Sequence, residues 1–159
     1  MRQTRIALHD DHLANLGLLG RVEQALVRRG GAAPSDELGD LMRALDRQVQ
    51  QDVGRHFAFE ERELFSRMQE AGEGDIAGLL REEHDAIRDL VEELRPLLAG
   101  AIAKSLDSAG WQSLREAAME LIERQVSHIQ KEEMALLPML EDLLDDETDR
   151  SLAFEYAAE

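Results

Sequence analysis

The sequence predicts an all-α protein, an antiparallel up-down-up-down four-helix bundle with a short C-terminal helix as an option. Three observations carry that prediction. Apolar residues recur at helical spacing along four long segments joined by short polar turns. The 159 residues include only three prolines and 4% aromatics, and they are rich in Leu, Ala, Glu and Arg. The chain also repeats, because a shift of 72 residues lays its second half on its first.

The first segment, about 5–28, places Leu8, Leu16, Leu19, Val22 and Leu26 on one side, and Gly30-Gly31 stops it. Pro34-Ser35-Asp36 restarts the chain as an N-cap. The second, about 36–70, carries Leu38, Leu41, Leu45, Val49 and Val53. The stretch Ala71-Gly72-Glu73-Gly74-Asp75 ends it and supplies the next cap. The third, about 76–103, runs through Leu79, Leu80, Ile87, Val91, Leu94 and Leu98, and the fourth, about 110–144, through Leu114, Leu121, Ile129, Leu136 and Met139. Pro96 and Pro138 fall inside these last two, where a missing N–H and a crowded carbonyl predict a kink or an early end. Residues 1–144 thus read as one bundle domain, and 145–159 as an acidic tail or short helix.

Composition excludes several classes. Eighteen basic against thirty-four acidic residues give a net charge of −16, which repels phosphate backbones and anionic membranes and argues against both as partners. No cysteine is present, so disulfides, thiolate nucleophiles, Fe–S clusters and zinc fingers are out. No apolar stretch follows the basic N-terminus, and the longest uncharged apolar run, 97–103, is too short to span a bilayer. A soluble, cytoplasmic protein is expected, with its oligomeric state left open.

The repeat matters most at its ionisable positions. At the offset of 72, His12 falls on His84, His56 on His128 and Glu60 on Glu132, with Ala14, Leu18, Glu61 and Leu64 matched in step. His56/Glu60 and His128/Glu132 are each four apart, so each pair shares one helix face. Both pairs continue apolar stripes, as do His12 and His84, so four histidines and two glutamates point inward, one histidine per helix. Burying two carboxylates without compensation costs several kcal/mol each. Four neutral imidazoles and two carboxylates match a pair of divalent or trivalent ions, each hairpin giving two histidines to one ion and both glutamates bridging. Without thiolates the set suits Fe, Mn or Zn, and a carboxylate-bridged iron pair best.

This order, a lone His, a His-x-x-x-Glu, a second lone His and a second His-x-x-x-Glu on successive helices, resembles the hemerythrin-like, or HHE cation-binding, family. The resemblance spans nearly the whole chain, from Asp11-His12 to the block His128-Ile129-Gln130-Lys131-Glu132. It implies metal ligation by His12, His56, Glu60, His84, His128 and Glu132, and a cofactor of two Fe ions with an oxo or hydroxo bridge. Oxygen-carrying members place a second histidine four residues after the third-helix ligand, where this chain has Arg88, and close their last motif with a longer spacing ending in Asp. Both departures resemble the symmetric centres of bacterial stress and iron-repair relatives, although the cysteine-containing N-terminal segment usual in the repair proteins is absent. The implied activity is binding of, or reaction with, O2, peroxide or NO in sensing or stress detoxification, whether or not there is turnover. An electron donor is then a partner. The alternatives are iron storage or donation for Fe–S repair, and a non-catalytic O2 or NO binder.

Further residues have two readings each. His9, one turn before His12, is a fifth ligand or a helix-start histidine. Glu63, three after Glu60, is a third carboxylate ligand or the i+4 partner of Arg67. Arg88 gates the centre, pairs with Glu63 or is simply solvated. Glu61, Glu82, Glu83 and Glu133 form exposed acidic faces or hold ligand imidazoles from outside. Phe57, Phe59, Phe65, Met68, Met119 and Met139 line a gas pocket or are ordinary core.

Overall fold

A computed structural model describes residues 1–29 and 36–159, and among them the regular structure is entirely helical. Five helices follow in order: α1 (Gln3–Arg29), α2 (36–70), α3 (Gly74–Ile102), α4 (108–143) and α5 (Asp146–Ala158). Helix α1 packs on α2, α4 and α5, α2 on α3, and α3 on α4. The stop expected at Gly30-Gly31 and the cap expected at Pro34-Ser35 lie outside the described residues, and Asp36 is already the first residue of α2.

The turn between α2 and α3 needs its glycine. Gly72 has φ +87°, and Glu73 N–H reaches back to the Met68 carbonyl at 2.8 Å, which closes the helix end. Asp75, expected in the capping stretch, falls inside the first turn of α3, whose cap position, Glu73, makes no side-chain cap bond. Helix α4 starts earlier than its apolar pattern suggests because Asp107 accepts from Gly110 N–H at 2.8 Å. Helix α5 is opened in the same way by Asp145, which accepts from Thr148 N–H at 2.7 Å.

Neither internal proline ends its helix, contrary to one of the two outcomes expected. Helix α3 continues past Pro96 to Ile102, and Pro96 is solvent-exposed, so water can reach the carbonyl its ring orphans. Helix α4 continues past Pro138 to Leu143, and the turn just before it, Glu132–Leu136, is widened to π-helical bonding. There Leu137 N–H reaches the carbonyl of Glu132, five residues back. Helix α2 widens likewise over Asp52–His56 and Glu60–Phe65. All three π segments border a His-x-x-x-Glu pair, and such wide turns recur at functional sites.

The interior is two apolar clusters with a polar layer between them. One gathers Leu19, Leu45, Leu94 and Leu121 with their neighbours, and the other Leu8, Phe65, Leu80 and Leu140. Along each of α1 to α4 the change from one cluster to the other falls at the histidine and glutamate positions. The packing of both clusters therefore holds those side chains at one level.

Candidate metal centre

His12, His56, Glu60, His84, His128 and Glu132 are all buried, at no more than 6% exposure. Their ligand-type atoms form two groups, His12, His56, Glu60 and Glu132 in one and Glu60, His84, His128 and Glu132 in the other. Within each group, one such atom per residue lies within 4.8 Å of all the others. Both glutamates belong to both groups. The structure thus brings the six sequence candidates together as two four-residue nests with a shared carboxylate pair.

The imidazoles present Nε2 to the inside. His12 Nε2 is 3.1 Å from Glu132 Oε1 and His128 Nε2 is 3.5 Å from the same oxygen. His56 Nε2 and His84 Nε2 are 3.4 and 3.3 Å from Glu60 Oε1. Their Nδ1 atoms are all engaged outside. His12 Nδ1 faces Glu133 at 3.1 Å, His84 Nδ1 faces Glu61 at 2.8 Å, and His128 Nδ1 faces Glu83 at 2.8 Å. His56 Nδ1 lies 2.9 Å from the Tyr156 hydroxyl, which in turn donates to Asp11. Ionised carboxylates only accept, so the outer Nδ1 carries a proton, which leaves Nε2 as the atom that could ligate a cation once the imidazole is neutral. Phe57 completes the orientation of His84 by stacking on its ring, with centroids 3.8 Å apart and planes 7° apart.

Charge in this nest is strongly coupled. Burial pulls the His128 imidazole down, but Glu132, Glu60 and Glu83 outweigh it and push it up to about 9. Burial likewise opposes protonation of His12 and His56, and Glu132 for the first and Glu60 for the second prevail and raise both. Glu132 is held well below the usual carboxylate range, because His128, His12 and His56 overcome its burial. Without another cation, the chain itself must gather protons here to balance two buried carboxylates.

The additional candidates fall outside both groups. His9 is exposed and its Nδ1 meets Glu133 at 2.7 Å, so it braces the outer partner of His12. Glu63 accepts from Arg67 at 3.1 Å and from Arg62 at 3.2 Å. Arg88 does not pair with Glu63. It lies 2.7 Å from Glu61 and holds that carboxylate, together with His84, below its ordinary range against the opposing effect of burial. Glu61, Glu83 and Glu133 hold imidazoles from outside, whereas Glu82 is exposed. Phe57, Phe59, Phe65 and Met68 are buried core. Met119 and Met139 are partly buried against it.

Sequence reasoning missed Asp11 and Tyr156. The signal for Asp11 was present, since the offset of 72 lays it on Glu83. Tyr156 had no counterpart to reveal it. Arg55 lies over its ring at 4.4 Å and donates to its carbonyl at 2.9 Å.

Compared with known proteins, residues 6–140 match the family model of the hemerythrin HHE cation binding domain. That span takes in all six buried donors. No curated protein matches the chain significantly.

Proposed function

The chain belongs to the hemerythrin HHE cation-binding family, and from that premise we propose that it carries two iron ions and binds or reacts with O2, peroxide or NO in sensing or stress detoxification. One observation carries this reading. Both oxygens of Glu60, one of Glu132, and Nε2 of His84 and His128 are buried without a hydrogen-bond partner, all at the same place. Orphaned acceptors of this kind are costly unless something positive satisfies them. Two ligands bonded to one ion at about 2.1 Å each sit roughly 3 to 3.4 Å apart, and the inner nitrogen–oxygen separations of 3.1 to 3.5 Å match that. His12 and His56 would hold one ion, His84 and His128 the other, and Glu60 and Glu132 both. The all-nitrogen and oxygen donor set suits iron, with manganese or zinc as competitors.

Bound there, an iron pair supplies one-electron redox steps and open positions for a small ligand. The chain's own residues supply the rest. Glu133, Glu61, Glu83 and the Tyr156–Asp11 pair fix each imidazole by its outer N–H, which sets the tautomer and raises its basicity. The apolar clusters on either side keep bulk water from the centre. Complete burial and outer bracing favour a resident cofactor over an ion stored for donation. The alternation of the two clusters along successive helices supports the antiparallel up-down-up-down arrangement of α1 to α4. The reading further places the protein in the cytoplasm with an electron donor as partner.

The test is elemental analysis of protein purified without added metal, with absorption spectra before and after reduction and on adding O2, peroxide and NO. Two irons per chain and a spectrum that responds to at least one of the three are expected. Metal-free protein that takes up no iron, or a loaded centre indifferent to all three, would overturn the reading.

A further inference from the structure

Outside the six-residue centre two further carboxylates among the described residues are buried, Asp149, which caps α1, and Asp52, which has no part in the proposed function. Asp52, four residues before His56, is 8% exposed. Its Oδ2 accepts from Asn15 Nδ2 at 2.7 Å and Gln125 Nε2 at 2.9 Å, and its Oδ1 from Gln48 Nε2 at 3.2 Å. Both buried amides turn their NH2 groups to the carboxylate, so their oxygens must find donors elsewhere. Asn15 Oδ1 and Gln125 Oε1 have none, and both residues are more than nine-tenths buried.

Asn15, Asp52 and Gln125 border a cavity of about 10 Å³, otherwise walled by apolar side chains. That is room for the centre of about one water molecule. The occupant must be small and must donate to two oxygens. Even counting both Asp52 oxygens, four side-chain oxygens are too few for a hard cation, which takes six or more, whereas one water has a proton for each orphaned amide.

The cluster breaks the internal repeat. At the offset of 72, Asn15 falls on Ile87, Val53 on Gln125 and Asp52 on Arg124. Ile87 and Val53 line the same cavity, so at each of these two matched pairs one half supplies a polar side chain and the other an apolar one. Asn15 is three residues after His12, Asp52 four before His56, and Gln125 three before His128. This layer thus lies one helical turn, about 5 Å, from the centre.

We propose that Asn15, Asp52 and Gln125 form an internal binding site for one water, and that this water and the Asp52 carboxyl hold and exchange a proton beside the His/Glu centre. The role rests on the proposed function, because reduction of peroxide to two waters consumes two protons with two electrons. Asp52 takes up a proton at a carboxylate oxygen and releases it there, and the water carries it. Burial pushes this carboxyl up to about 6, against the pull of His56, Gln48 and Asn15. Helices α1, α3 and α4 line the cavity with uncharged residues alone, and the titratable groups acting on Asp52 are His56 and Glu60 of its own helix.

The experiment uses the full chain without metal, its aspartate side-chain carboxyls labelled with carbon-13, in an NMR pH titration beside a high-resolution crystal structure. One aspartate should titrate near pH 6, where ordinary ones titrate near 4, and that signal should vanish in Asp52→Asn. A single water should bridge Asn15 Oδ1 and Gln125 Oε1. Gln125→Leu, which removes one bond to the carboxylate, should move the midpoint higher and serves as the assignment if Asp52→Asn does not fold. A dry cavity, or aspartates that all titrate near 4 or below, overturns the proposal. Neither result touches the iron reading, and protein that never binds iron would leave the water site standing.

Discussion

Glu83 reaches His128 Nδ1 at 2.8 Å, but its counterpart in the first hairpin, Asp11, stops 3.7 Å from His56 Nδ1. Aspartate is shorter by one methylene, and the Tyr156 hydroxyl stands in the gap, 2.9 Å from His56 and bonded to Asp11. The other outer contacts obey the repeat, since His12 meets Glu133 and His84 meets its counterpart Glu61. The two halves are therefore alike where the inner donors converge and unlike where one imidazole is braced. The difference makes α5 part of the centre. Asp149 of α5 also caps α1, accepting from Gln3 N–H at 2.8 Å and Thr4 N–H at 2.9 Å. The helix that completes the His56 contact is thus tied to the one carrying His12.

The like side of the comparison predicts the largest effect, at the shared carboxylates. Glu132→Ala should reduce metal content from two ions per chain toward none, because Glu132 belongs to both donor groups. Loss of one ion with the other retained at full occupancy would mean that the halves act independently. Elemental analysis distinguishes the two outcomes.

Metal removal should reverse the pH dependence of stability. In the metal-free chain His128 is raised from 6.5 to about 9. Its stabilising contribution is complete below about 6.5 and is lost as pH rises through 9. His12 and His56 shift in the same direction. The melting temperature of metal-free protein should therefore fall between pH 6.5 and 9. In the loaded protein it should rise over the same interval, because ligand imidazoles must lose their protons to bind. Loading should add about 3 kcal/mol at a free metal concentration a hundred times the Kd. Parallel melting curves for the two forms across that range would contradict the account.

The unlike side of the comparison predicts a smaller effect. Tyr156→Phe should weaken metal binding about 10- to 100-fold, the usual range for a lost outer partner. Adding Asp11→Glu should recover most of the loss, because the longer side chain can reach His56 as Glu83 reaches His128. Competition with a metal-sensitive dye measures both variants, and failure of the rescue would mean that Tyr156 does more than span a gap. His9→Ala should have the least effect. It removes a brace on Glu133 but no inner donor, so two ions should still bind.

The helices and the meeting of the six histidine and glutamate side chains were legible because each leaves a periodic mark. Apolar spacing marks a buried stripe, and the offset of 72 marks His12 with His84 and His56 with His128. The boundaries shifted where a polar side chain overrides that spacing, as Asp107 does in starting α4 before its first apolar residue. Neither proline brings the early end because its cost depends on surroundings, solvent exposure at Pro96 and a widened turn before Pro138. Asp52 stands one turn before His56 on the same helix, yet nothing local showed that Asn15 and Gln125, 37 and 73 residues away, would meet it. Tyr156 was hidden for the same reason, 100 residues from His56 in a segment outside the repeat.

The most direct measurement is anomalous X-ray scattering at the iron edge from crystals of the full chain grown with iron(II) under anaerobic conditions. Two peaks are predicted, one beside Nε2 of His12 and His56, the other beside Nε2 of His84 and His128, each in contact with Glu60 and Glu132. A single peak, or iron confined to the acidic surface while these six side chains bind nothing, would contradict the account.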